Sequence, residues 1–212
     1  MTEVVIAGAV RTPIGKFGGE LSSKSAVELG VVAAQAAIDR AGLQPDQVNR
    51  AIFGNVYQAN NGQNVARQVA LNSGMAHSST AMTVNEVCGS GLQAIHLGAA
   101  AIQMGEADVV LVGGTESMSN VPFYAPQMRW GHVLGNAQFT DGLLKDGLLD
   151  AFSGHHMVLP RRMLPRSTTL AARTRTALPL HPTKRPSRHR RLVALRPKSC
   201  PSPCTRRRVT WW

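Results

Sequence analysis

Ala81-Met82-Thr83-Val84-Asn85-Glu86-Val87-Cys88-Gly89-Ser90-Gly91-Leu92 is the stretch from which the architecture of this chain is read. Ala81 to Val84 is a short apolar run and predicts a buried strand. From Leu92 to Met104 the residues Leu92, Ile95, Ala99 and Ile102 recur on one stripe, which predicts a helix. Cys88 therefore falls at a strand-to-helix corner. Unpaired backbone N–H groups and the positive end of a helix dipole favour a thiolate there. Gly89 and Gly91 leave room for a ligand against the backbone. A lone cysteine in this position is either a small buried hydrophobe or a nucleophile presented as the serine elbow presents its hydroxyl.

The same alternation continues on both sides. Val4-Val5-Ile6-Ala7 and the run from Ala51 to Val56 read as strands, and Asp108 to Val112 as another. Ser25 with Glu28 forms a capping box ahead of Val27, Val31, Ala34, Ile38 and Ala41 at helical spacing, and Gly42 stops that helix. A second helix is expected from Asn64 to Leu71, closed near Gly74. Arg67 on it reads as a solvated helix charge, with an ion pair or subunit contact as alternatives. Strand, helix, strand, helix, strand, helix, strand argues for an α/β fold with a mostly parallel sheet and crossover helices on its faces.

Other candidates carry less chemistry. The glycines between Gly8 and Gly19 lack P-loop spacing and read as a turn. His96 follows Cys88 by eight residues, about 12 Å along a helix, too far to be the base of a Cys–His pair. Glu116 has no second carboxylate beside it and reads as structural. His155 and His156 have no third ligand in place, and Cys200 and Cys204 have no second pair, so no metal site is expected. Nothing resembles a signal peptide or a membrane span, and three cysteines do not make a disulfide framework, so a reducing, cytoplasmic setting is expected.

Several of these stretches, taken in order, resemble the thiolase family. They are Arg11-Thr12-Pro13 after the first strand, Gly62-Gln63-Asn64-Val65-Ala66-Arg67, Val87-Cys88-Gly89-Ser90-Gly91-Leu92, and Gly113-Gly114-Thr115-Glu116-Ser117-Met118-Ser119. The run Lys145 to Met157 resembles the family's inserted loop domain. The resemblance covers residues 3–157. It implies a thiolase-like N-terminal core over residues 1–119, part of a loop domain over 120–157, and an acetyl-CoA acetyltransferase activity. By it Cys88 is the nucleophile that takes the acyl group, and Leu148, His156 and Met157 line the pantetheine channel of coenzyme A. It implies no cofactor beyond the acyl-CoA substrate, and a homodimer or homotetramer. The family's Asn-Glu-Ala-Phe, Gly-His-Pro and Cys-x-Gly-Gly-Gly motifs do not occur in these 212 residues, so the chain alone is expected to turn over poorly. A non-catalytic coenzyme A binding module is the alternative.

Composition breaks near Met157-Val158. The formal charge of +11 is unevenly spread: residues 1–157 carry 8 basic and all 12 acidic side chains, whereas 158–212 carry 15 basic and none acidic. All 20 glycines precede position 158 and eight of 12 prolines follow it. An irregular basic tail is expected over 158–212, read as out-of-frame translation, a disordered tail, or an arm that binds nucleic acid non-specifically.

Overall fold

The structure is a computed structural model; it describes residues 3–158 and the backbone of two later strands, Leu192–Leu195 and Arg208–Trp211. Four strands carry the first part of the chain: β1 (Val5–Ala9), β2 (Arg50–Gly54), β3 (Thr80–Val84) and β4 (Val109–Gly114). Three helices connect them: α1 (Ala26–Ala41), α2 (Val65–Asn72) and α3 (Ser90–Gln103). A two-stranded antiparallel ribbon follows, β5 (Phe123–Tyr124) and β6 (Thr140–Asp141). With the later strands β7 (Leu192–Leu195) and β8 (Arg208–Trp211), the main sheet runs β3-β2-β4-β8-β1-β7. Every neighbouring pair is parallel except β1 with β7. The mostly parallel sheet with crossover helices is what the alternating pattern implies, whereas β7 and β8 fall within residues 158–212, where an irregular tail is expected.

The helix signals act as the sequence suggests. The Ser25 hydroxyl accepts from Glu28 N at 3.1 Å, and the Glu28 carboxylate accepts from Ser25 N at 2.8 Å. The bond from Ser25 N foremost, then the Ser25 hydroxyl and the Lys24 ammonium, hold the Glu28 carboxyl below its ordinary pKa. Gly42 closes α1 at φ 67°, a left-handed conformation that glycine adopts without a Cβ clash. The helices α1 and α2 cover one face of the sheet with a core that includes Ile38, Phe53, Val65, Val69 and Leu111. On the other face α3 packs Ala94, Ala101 and Ile102 against Ile52, Val110 and Val112.

Three expectations need correction. β3 is an edge strand with Thr80 and Met82 exposed, because among the described residues β2 is its sole neighbour in the sheet. The helix α3 buries Ser90, Ala94, Gly98, Ala101 and Ile102, whereas Leu92 is 73% exposed. Small residues let α3 settle closely on β2 and β4, so the wide apolar surface of the helix is turned partly outward. Arg67 is no solvated charge: its guanidinium donates to the carbonyls of Ser79 at 2.5 Å and His77 at 2.8 Å. It thereby satisfies the turn that leads into β3.

Residues 121–158 are irregular apart from the ribbon, a 3-10 turn at Pro126–Trp130 and a π-helical turn at Leu144–Leu148. Among the described residues no helix is long and apolar enough to cross a membrane. Cys200, Cys204 and, β7 and β8 aside, the basic segment after Val158 lie outside the described residues, with the readings attached to them.

Candidate functional site

A cavity of about 640 Å³ opens at the carboxyl ends of the parallel strands. Open α/β sheets bind ligands at this edge, where connecting loops diverge and helix N-termini point inward. Gly54 and Gly114 end β2 and β4 on its floor, and Gly91 and Ser90 bring in the start of α3. Thr12 to Phe17, after β1, form one wall, with Leu143 and Leu148 on another. Closeness is built in: a Cβ on Gly54 would lie 2.7 Å from the Ser90 Cβ. A Cβ on Gly91 would meet nothing within 4 Å, so the backbone there is open to a ligand.

Cys88 sits on the turn between β3 and α3, exposed and with a free thiol. Its neighbours Val87, Ser90 and Gly91 line the cavity. The turn is tightly tied. Ser90 Oγ accepts from Glu86 N at 2.8 Å and donates to the Val87 carbonyl at 2.7 Å. Asn85 Oδ1 accepts from Val87 N at 2.9 Å, and Gly89 N donates to Glu86 O at 3.0 Å. Val87 has φ 51°, a left-handed conformation that is a true outlier for a β-branched residue. Strain of this kind persists where the surroundings over-determine it, and it clusters at functional sites. A β-branched residue gives no sequence signal of a positive φ, and the Ser90 bridge was equally hidden.

The other three candidates lie on one turn. Leu148 faces the cavity. Met157 N donates to Leu148 O at 2.8 Å, and His156 bridges to Leu149, so all three share a short antiparallel pairing. His156 and Met157 are exposed on its other limb and are not among the residues that line the cavity. His96 is exposed on α3.

Glu116 holds the floor together. Its carboxylate accepts from Val56 N at 2.9 Å, Tyr57 N at 3.1 Å and Asn55 Nδ2 at 2.8 Å. Burial raises its pKa, against the lowering effect of those three donors. Asn55 Nδ2 also donates to the Thr115 carbonyl, which fixes the amide and leaves the buried Asn55 Oδ1 without a partner. Burial foremost, then the Glu116 and Asp146 carboxylates, pushes the Tyr57 phenol up. The Tyr124 phenol donates to Asp146 at 2.5 Å and is pushed up to about 12, first by burial and then by that bond. Among the described residues no group of three or more His, Cys, Asp or Glu side chains could hold a metal ion.

Residues 4–176 match the thiolase N-terminal domain, a span that runs past the compositional break at Met157. The acetyl-CoA acetyltransferase of Schizosaccharomyces pombe is 51% identical over 153 residues, 72% of this chain and 39% of that protein. The probable acetyl-CoA acetyltransferase of Escherichia coli is 46% identical over 180 residues, 85% of this chain and 46% of that protein. A thiolase of Ascaris suum, solved in complex with coenzyme A, superposes with a TM-score of 0.70 at 44% identity, over 73% of this chain and 40% of that one. The chain thus spans less than half the length of these relatives. Its fold and these matches show that the chain belongs to the thiolase family.

Proposed function

We propose that this chain carries the acyl-accepting part of a thiolase-type acyltransferase. The observation that carries the reading is the exposed Cys88 thiol on a strained turn whose neighbours wall a cavity at the carboxyl edge of the sheet. In the proposed step the Cys88 thiolate attacks the carbonyl carbon of an acyl-CoA thioester. The carbon–sulfur bond to coenzyme A breaks, and coenzyme A leaves as a thiolate that takes up a proton. The acyl group remains on Cys88 as a new thioester. In condensation, a second acetyl-CoA loses a methyl proton and the resulting carbanion attacks the acyl carbon, which releases the Cys88 thiolate. Reversal is thiolytic cleavage of a 3-ketoacyl-CoA. Covalent catalysis divides one difficult acyl transfer into two easier ones.

Leu148 forms a wall for the apolar part of the pantetheine arm, and His156 and Met157 meet it nearer the mouth. The coenzyme A bound by the Ascaris suum thiolase supports an acyl-CoA ligand. No cofactor beyond that thioester enters the reading. A cytoplasmic setting is supported by a 51% identical relative described as the cytosolic acetyl-CoA acetyltransferase of Gibberella zeae. A role in fatty acid metabolism and self-association into dimers or tetramers complete the proposal. Exposed Trp130, Leu134 and Phe152 supply apolar surface for such contacts.

Residues 1–119 are the unit we assign to the nucleophile, 120–157 to the coenzyme A wall, and 158–212 to neither. Mixing the chain with acetyl-CoA should release a stoichiometric burst of free coenzyme A, with little turnover afterwards. Absence of a burst overturns acyl acceptance. Sustained formation or thiolysis of acetoacetyl-CoA overturns the expectation of poor turnover.

A further inference from the structure

Tyr57 is nearly buried just beyond the end of β2, outside the residues that line the cavity, yet it touches both sides of it. Its backbone N–H is held by Glu116 on the floor. Its hydroxyl donates to the carbonyl of Leu143 at 3.0 Å. Gly147 lies against the same ring so closely that a Cβ there would stand 2.5 Å from the Tyr57 Cζ. Leu143 and Leu148, on either side of this contact, line the cavity. Apart from the turn at the junction itself, where Val121 N donates to the Met118 carbonyl at 3.4 Å, the Tyr57–Leu143 bond is the one hydrogen bond among the described residues from residues 121–158 to residues 3–119. The remaining polar contacts of that segment are internal, such as Tyr124 with Asp146 and Gln127 with the Gln138 carbonyl.

We propose that Tyr57 is a positioning residue that pins the 143–148 turn over the cavity, and so sets the distance between the Cys88 turn and the Leu148 wall. A ligand that fills the cavity from Cys88 to Leu148 needs both walls at a fixed spacing. A small reagent that reaches only the exposed thiol does not. The identity of that ligand as coenzyme A rests on the function proposed above; the pin itself does not.

Two variants perturb the contact from opposite sides. Tyr57→Phe keeps the buried ring and deletes the hydroxyl. Gly147→Ala keeps the hydroxyl and forces the turn away from the ring. Iodoacetamide labelling of Cys88, followed by peptide mass, is measured with increasing coenzyme A. With one hydrogen bond lost, the half-protecting concentration should rise about 3- to 10-fold in Tyr57→Phe. Gly147→Ala should move it in the same direction. The labelling rate without coenzyme A should stay unchanged in both, which a general loosening of the fold would not allow. Amide hydrogen exchange over residues 143–149 should quicken in Tyr57→Phe, while exchange in β2 and β4 stays as it was. Unchanged exchange overturns the pin. Faster exchange with an unchanged half-protecting concentration overturns the positioning role. If coenzyme A fails to protect Cys88 in the native chain, the ligand assignment falls, and the exchange result alone decides the pin.

Discussion

Residues 3–119 and residues 121–158 keep their shape by different means. The first region buries Phe53, Ile52, Ile102 and Leu111 completely, on two faces of one sheet. In the second only Gly142 is buried among the described residues. Its large apolar side chains face outward, with Trp130 at 90% and Phe152 at 100% exposure. The first region is held by apolar burial, which is cooperative and non-directional. The second is held by local hydrogen bonds, including Val121 N to Met118 O where it begins, and by the long-range bond from Tyr57. The cavity lies where the two meet, with a rigid floor and nucleophile turn on one side and a lightly fastened wall on the other. Rigid elements fix reacting groups better than loops do, whereas a loop wall adapts more readily to a ligand.

The sharpest way to break this comparison is a matched pair of truncations. Phe53→Ala removes a fully buried ring and should cost about 3–5 kcal/mol in denaturant unfolding. Phe152→Ala should stay within about 0.5 kcal/mol. Equal costs would end the distinction between the regions.

Next in size is Glu116→Gln, at the junction. The neutral amide retains one acceptor oxygen and turns a donor toward a backbone N–H, so a loss of about 1–3 kcal/mol is expected. Its pH dependence has a definite sign. Burial raises the folded pKa of Glu116 above its ordinary value of 4.5. Its protonated form therefore favours folding, fully so below the unfolded pKa, and that contribution fades as pH rises through the folded pKa. The cost of Glu116→Gln should be largest in acid and shrink with rising pH. Unfolding midpoints across about pH 4 to 8 would show this, and a cost that grows with pH would contradict it.

The smallest stability effect belongs to Gly91→Ala. A Cβ there meets no protein atom, and alanine is the better helix former by about 1 kcal/mol, so the fold should be unharmed or slightly strengthened. The added methyl would stand at the cavity wall, three residues after Cys88, and should still slow acyl transfer about tenfold, an order of magnitude expected when a reacting carbonyl is misplaced. Unchanged acylation in Gly91→Ala would show that the thioester approaches from elsewhere.

The layout of the first region was legible because its signals are local. The Ser25–Glu28 capping box, the Gly42 stop and the alternating apolar runs each act within a few residues. The outward turn of Leu92 was not legible, since α3 is apolar on most sides and packing chooses which side to bury. Arg67, Glu116 and Tyr57 escaped for a common reason. Each works by bonding to backbone groups of a distant loop, and backbone groups have no sequence identity to read. The reading of Glu116 as structural named none of the partners that the structure gives it. The Cys88 turn was legible as a strand-to-helix corner, whereas the left-handed Val87 that shapes it was not.

Peptide mass analysis after incubation with acetyl-CoA asks whether the cavity delivers a thioester to the thiol. One acetyl group is expected on the peptide that contains Cys88, removable by added coenzyme A and absent from Cys88→Ser. Acetylation that spares Cys88, or that reaches Cys200 and Cys204 equally, would contradict it and leave a chain that holds coenzyme A without accepting its acyl group.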